Sequence, residues 1–247
     1  MIELLENINL EGFTAVIPSV SVGNVGQLAS DLLISSLYLK KIGFIWHPSV
    51  LPLAGADPYG RTNSPSTGCE LYVSTSLKVL ICQIRSAVTK TRHFVDDLTN
   101  WLKSSKVRRV VILAGSSAHE RKDQQLGNVP VRYLFCPLTS AEESKNAKSR
   151  NWIELENKDL SGNKSLTYIP GSGLTVKLFN HCMGREIPCS ILLNFCSDGD
   201  NIPDAFRLVD YFNEWFQLKE KQNLTNWIVP PSWNLFFGAN PPVEIFN

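Results

Sequence analysis

Apolar positions along the chain switch between two periods. Phe13-Thr14-Ala15-Val16-Ile17-Pro18 is a short apolar run closed by proline and predicts a strand. After a turn at Gly23-Asn24-Val25-Gly26, Val25, Leu28, Ala29, Leu32, Leu33, Ser36 and Leu37 follow at spacings of three and four, one face of a helix. Ile42-Gly43-Phe44-Ile45-Trp46 predicts a second strand, so the chain opens as a β-α-β unit. Residues 47–68 are rich in Pro, Gly, Ser and Asn and read as a loop. Residues 71–74 and 77–84 read as two strands close enough to form a hairpin.

Phe94, Val95, Leu98, Trp101 and Leu102 make a helical face. The run Arg109-Val110-Val111-Ile112-Leu113-Ala114 is the kind of strand that a parallel sheet buries on both faces. The chain is polar over 115–130, offers a strand over 131–136, and is polar again over 140–165, with a short helix near 142–150. Leu174, Val176, Leu178 and Phe179 point to a helix after Gly171-Ser172-Gly173, and Ser190-Ile191-Leu192-Leu193-Asn194-Phe195 to a strand. The clearest helix carries Ala205, Leu208, Val209, Phe212, Trp215 and Phe216 on one face. Pro203 fits its first turn, where a missing N–H costs nothing, and Asp204 suits the positive end of its dipole. Strands alternating with helices predict an α/β fold, a three-layer α/β/α sandwich around a mainly parallel sheet. No internal repeat interrupts it. The expected organisation is a single α/β domain over 1–238 and a C-terminal tail over 239–247.

The 247 residues are 43% hydrophobic, enough to bury a core without a metal or disulfide staple. Lys+Arg 24 against Asp+Glu 23 gives no electrostatic reason to expect nucleic acid. Cysteines stand at 69, 82, 136, 182, 189 and 196, with no Cys-x-x-Cys pair and no zinc spacing; they read as reduced, small core hydrophobes. The start, Met1-Ile2-Glu3-Leu4-Leu5-Glu6, lacks the basic and apolar regions of a signal peptide, and no apolar run nears the ~20 residues that span a bilayer. A soluble intracellular protein is expected, for which the glycosylation patterns at Asn163-Lys164-Ser165 and Asn223-Leu224-Thr225 are idle.

Three places invite a chemical reading. Ser21-Val22-Gly23-Asn24-Val25-Gly26 lies between strand and helix, where free N–H groups can hold a phosphate. It has no P-loop lysine and not the full dinucleotide pattern, and a tight turn explains its glycines equally. Gly115-Ser116-Ser117-Ala118-His119 follows a buried strand, as a hydrolase nucleophile elbow does, but ends in His where the elbow has Gly. The bases on offer are His47, His93, His119 and His181. Asp198-Gly199-Asp200 with Asp204 gathers carboxylates but lacks calcium-loop spacing and its closing glutamate, and reads as a solvated entry to a helix. No catalytic, metal or cofactor site is assigned.

Several segments, taken together and in order, resemble the proteasome assembly chaperone family. They are Pro18-Ser19-Val20-Ser21-Val22-Gly23-Asn24-Val25-Gly26-Gln27-Leu28-Ala29, Asp31-Leu32, Lys41-Ile42-Gly43, Leu102-Lys103-Ser104-Ser105, Arg121 with Asp123 and Gln125-Leu126, and Arg132-Tyr133-Leu134. Farther on stand Ile169-Pro170-Gly171-Ser172-Gly173, Gly199-Asp200-Asn201-Ile202-Pro203-Asp204-Ala205, Asn213-Glu214-Trp215 and Pro231-Ser232-Trp233. The resemblance implies an α/β domain shaped like nucleoside phosphorylases and related hydrolases, without their activity. It implies a heterodimer with proteasome assembly chaperone 1 that acts on the α subunits of the 20S proteasome. That pair promotes correct α rings and suppresses their off-pathway association, in cytoplasm and nucleus. The competing readings are a hydrolase or phosphorylase-like enzyme using the Gly115-Ser116-Ser117 turn, and a scaffold for other proteins.

The same resemblance draws attention to the end of the chain. Pro241-Pro242 is stiff and extended, and Ile245, Phe246 and Asn247 look like the hydrophobic-Tyr-x tails that enter pockets between α subunits. A pocket lysine would pair with the terminal carboxylate while Ile245 and Phe246 fill apolar space. Phe246 stands where the motif has tyrosine, so a hydroxyl worth about 0.5–1.5 kcal/mol is missing. Phe236 and Phe237, with Trp227 and Trp233, either cover the core or form the heterodimer interface, where aromatic residues are enriched.

Overall fold

The computed structural model describes residues 2–121, 128–156, 166 and 168–235. The strands are β1 (Ile2–Leu4), β2 (Thr14–Pro18), β3 (Lys40–Ile45), β4 (Ala54–Gly55), β5 (Ser66–Thr67), β6 (Cys69–Ser74), β7 (Val79–Ile84), β8 (Arg109–Ser117), β9 (Val131–Phe135) and β10 (Cys189–Cys196). The α-helices are α1 (Val25–Ser36), α2 (Thr91–Ser104), α3 (Ala141–Ser149), α4 (Thr175–Gly184), α5 (Ile202–Phe216) and α6 (Leu218–Gln222).

Eight of these strands form one sheet in the order β1-β3-β6-β7-β2-β8-β10-β9, while β4 and β5 pair as a separate ribbon. The centre, β7-β2-β8-β10, is parallel; β6, β3 and β1 on one side and β9 on the other add antiparallel wings. Strand β8 shows why the centre reads as continuous apolar sequence: Val110, Ile112 and Ala114 enter one core and Val111 and Leu113 the other, all fully buried. Helices α2 and α4 cover the first face through Phe94, Leu98, Leu178 and Phe179. Helices α1 and α5 cover the second through Leu32, Leu33, Leu208 and Phe212. The three-layer sandwich is therefore present, with a parallel centre and a mixed periphery.

The first β-α-β unit is more open than the sequence suggests. Strand β3 is separated from β2 by the hairpin β6–β7, which inserts between them. Helix α1 was expected to have one buried face, yet Ser30, Asp31, Ile34 and Ser35 on its other side are buried too. The loop after β3 returns across it: Arg61 donates to the carbonyls of Ile34 (2.9 Å), Ser35 (2.8 Å) and Leu39 (3.0 Å), satisfying the exposed end of the helix. The C-terminal segment closes the rest, with Ile228 N–H donating to Ser36 Oγ at 2.7 Å. Trp227 and Trp233 are buried in the same core as α1 and α5, which settles both as covering residues.

Candidate functional site

In an open α/β sheet, ligands bind beyond the carboxyl ends of the strands where the chain's winding reverses. Here that place is the mouth between β2 and β8. The chain leaves β2 toward the β7 side and leaves β8 toward β10. The mouth is filled by the protein itself. The segment Ile169-Pro170-Gly171-Ser172-Gly173 lies across it and is tied down from both sides. Ser19 Oγ donates to Ser172 O (2.6 Å) and accepts from Leu174 N–H (2.8 Å). Ser116 Oγ donates to Pro170 O (2.7 Å), and Val22 N–H donates to Gly171 O (2.9 Å). Glycine is needed at this contact. A Cβ on Gly173 would meet Val20 O at 1.7 Å, and one on Gly171 would meet Val22 Cγ2 at 2.5 Å.

This geometry answers the sequence-level candidates one by one. Gly115-Ser116-Ser117 is not a turn: it is the end of β8, paired in parallel with Asn194, Phe195 and Cys196. Ser116 is fully buried, and His119 turns outward beside Glu120 at 3.6 Å with its side chain 80% exposed. The strand continues because β10 runs alongside to the same length, leaving no sharp elbow to present a nucleophile. In the Ser21–Gly26 turn the amide of Asn24 is engaged by Ser21 O (3.1 Å), and Ser21 Oγ accepts from Gly115 N–H (2.8 Å). Gly26 is there for packing: a Cβ would stand 2.2 Å from Leu113 O. Asp200 accepts from Ile202 N–H (2.9 Å) at the start of α5, and Asp204 holds Asn194 (3.0 Å) and Arg207 (2.6 Å). Among the described residues no three metal-competent side chains converge, and no helix is long and apolar enough to cross a membrane.

A cleft of about 390 Å³ opens under the loop that crosses α1. Its cations are already engaged. Arg61 holds the end of α1, Lys41 pairs with the fully buried Glu70, and Lys40 pairs with Glu6 at 2.6 Å. Behind it Asp31 Oδ1 accepts from Tyr59 OH (2.7 Å), Gln83 Nε2 (2.6 Å) and Arg85 Nη2 (2.8 Å), while Nη1 reaches Oδ2 at 3.2 Å. Burial works against the Arg85 charge, but Asp31 outweighs it and raises the pKa above the usual arginine range. Burial and the Asp31 charge push the Tyr59 phenol up as well. These groups fasten the 47–68 loop to α1 and β7; they are structural.

What remains open is an apolar surface at the end of β3. Trp46 is 63% exposed and Leu51 and Leu53 are each 49% exposed. They rim a cleft of about 180 Å³, and Ile45 and His47 continue it into a second, of about 290 Å³, floored by Phe94, Leu98 and Trp101 of α2. His47 stands edge-on to Phe94 (5.4 Å between centroids) and reaches Asp97 at 3.1 Å. Three large apolar side chains gathered on one exposed surface make the kind of patch that protein contacts use. Sequence reading missed them because Trp46 was read as the end of a strand and Leu51 and Leu53 fall in the Pro- and Gly-rich loop over 47–68; the available signal was three large apolar residues lying within eight positions. The predicted residues Phe236, Phe237, Ile245, Phe246 and Asn247 lie outside the described residues.

The fold is an α/β sandwich whose mouth is filled by Ile169 to Gly173 and which carries an exposed apolar surface around Trp46. Residues 15–219 match the PAC2 family, and the chain belongs to that family. Over 250 residues it is 40% identical to a Danio rerio protein named Proteasome assembly chaperone 2, covering 96% of each chain. It is 39% identical over 254 residues to the Homo sapiens protein of the same name, again covering 96% of each. Among solved structures, Pyrococcus furiosus PbaA, described as an archaeal homolog of proteasome-assembly chaperone, shares the fold with a TM-score of 0.67. That match has 18% identity and covers 91% of this chain and 92% of that one. A Thermoplasma acidophilum protein of unknown function matches at TM-score 0.65 and 16% identity, covering 86% of this chain and 82% of that one.

Proposed function

We propose that this chain is a proteasome assembly chaperone that works by binding and performs no chemistry. Relatives carrying that name match it along nearly their whole length. The observation that carries the non-enzymatic reading is the plugged mouth, where Ile169 to Gly173 take the place a substrate would occupy. In this reading the chain pairs with proteasome assembly chaperone 1 and the pair acts on α subunits of the 20S proteasome, in cytoplasm and nucleus. It promotes α-ring assembly and prevents off-pathway ring association. The surface around Trp46, Leu51 and Leu53 takes the partner chaperone, with Phe236 and Phe237 as further interface residues. Ile245, Phe246 and Asn247 form a tail, following a domain over 1–238, that docks into an α-subunit pocket.

Affinity isolation of the tagged chain, followed by mass spectrometry, tests this directly. Recovery of a second assembly chaperone together with α subunits is expected. Trp46→Ala should lower recovery of the partner chaperone at least tenfold, a loss of ~1.4 kcal/mol or more, with the melting temperature of the isolated chain unchanged. Deleting residues 245–247 should weaken capture of α-ring intermediates and leave the heterodimer intact. Isolation of neither a chaperone nor α subunits would remove the proposal.

A further inference from the structure

Three buried thiols, Cys136, Cys182 and Cys189, meet at the end of the sheet where β9 turns away from β10, and the function above makes no use of them. The β9–β10 register sets Phe135 opposite Ser190, so the next pair along the ladder is Cys136 and Cys189. Cys136 N–H donates to Cys189 O at 3.0 Å. The return bond goes to sulfur: Cys189 N–H donates to Cys136 Sγ at 3.1 Å. Both side chains enter the same core, and directly opposed residues of an antiparallel pair carry Cβ atoms about 4.5–5.5 Å apart. That separation is close to disulfide reach, and the end of the ladder is where the backbone has room to close the remainder.

The two thiols are not equivalent. The neighbouring Cys189 sulfur, together with the Cys189 N–H, Thr139 and Leu138, lowers the Cys136 pKa to about 5 against the opposing effect of burial. The Cys189 thiol donates to Phe179 O at 3.6 Å and is pushed up by its contacts with Cys136 and Cys182 and by burial. Cys136, whose sulfur accepts the Cys189 N–H, is thus the more acidic thiol of the pair, while the Cys189 proton is turned to Phe179 O. A polar cleft of about 190 Å³ opens at this end of the sheet, lined by Leu138 and Thr139 just after Cys136 and by Pro188 and Ser190 on either side of Cys189. The other buried cysteines with altered thiols, Cys69, Cys82 and Cys196, are all shifted up, chiefly by burial, and are inert by comparison.

From this arrangement we infer that Cys136 and Cys189 form a peroxide-sensitive thiol pair that closes to a cross-strand disulfide. The Cys136 thiolate attacks one oxygen of hydrogen peroxide, the O–O bond breaks, and Cys136 becomes a sulfenic acid as hydroxide leaves. The Cys189 sulfur then attacks the Cys136 sulfur, the S–O bond breaks, and the hydroxyl leaves as water with the Cys189 proton. Two thiols are oxidised, one peroxide is reduced to two waters, and a dithiol reductant reverses the change.

The full-length folded protein, treated with hydrogen peroxide, quenched with an alkylating agent and digested, reports the outcome by mass spectrometry. A peptide pair joined through Cys136 and Cys189, lost on reduction, is the expected product. Cys136→Ser should abolish the linked pair, and Cys189→Ser should leave Cys136 trapped as a sulfenic acid that dimedone labels. The inference is overturned if Cys136 is alkylated as fast as, or more slowly than, Cys69 and stays unoxidised. A link joining Cys182 to Cys189 instead would overturn it equally. Because the wild-type peptide map decides the matter, a variant that fails to fold does not.

Discussion

Gly173 and the carbonyl of Val20 are in such close contact that a Cβ on Gly173 would lie 1.7 Å from that oxygen. Gly173 also has a φ of +61°, in the left-handed region. The two residues are 153 positions apart, and their contact is what seats the plug over the mouth of the sheet. Gly173→Ala cannot relax by rotating a side chain, because the opposing atom is backbone. It is expected to destabilise the chain by on the order of 3 kcal/mol, from overpacking together with the left-handed backbone. Urea denaturation of the purified chain checks this. A change under about 1 kcal/mol would mean that the plug yields easily and the mouth can open.

Asp31 and Arg85 make a second long-range tie, and their burial makes it costly to break on one side only. Arg85→Met leaves the Asp31 carboxylate inside with only Tyr59 and Gln83 as donors, and is expected to lose about 3–5 kcal/mol. Adding Asp31→Leu to the same chain removes the stranded charge and should restore part of that loss. Thermal unfolding of both single variants and the double variant measures the coupling.

Asp57 predicts a pH dependence. Burial pushes its carboxyl up, but the N–H groups of Tyr59, Arg61 and Thr62 and the Thr62 hydroxyl outweigh this and hold it below its ordinary 3.8. A depressed folded pKa means stability fully present above the unfolded value and lost as pH falls through the folded one. The stability difference between wild type and Asp57→Asn should therefore be constant above about pH 5 and shrink below pH 4. Urea midpoints measured across that range would show it. A difference that does not change with pH would mean the loop is held by Arg61 and Tyr59 and not by the carboxylate.

Much of the fold was written in local pattern. The helical faces at Val25 to Leu37, Phe94 to Leu102 and Ala205 to Phe216, and the buried strand at Val110 to Ala114, follow from side chains a few positions apart. The six cysteines read as core residues, and all six are buried. The hairpin β6–β7 was legible from two adjacent apolar runs, and the family from short motifs in order.

The sequence by itself therefore determined the central strands and the main helices, which residues seek the interior, and what family the chain joins, because each depends on neighbours along the chain. Tertiary structure alone decided that the β6–β7 hairpin stands between β2 and β3, and that Ile169 to Gly173 fill the mouth beside Ser19. It also decided that the far side of α1 is buried under Arg61 and Tyr59, and that Trp46, Leu51 and Leu53 gather on one exposed surface. Those outcomes depend on distant backbones meeting within van der Waals and hydrogen-bond range. A local period carries no record of that distance.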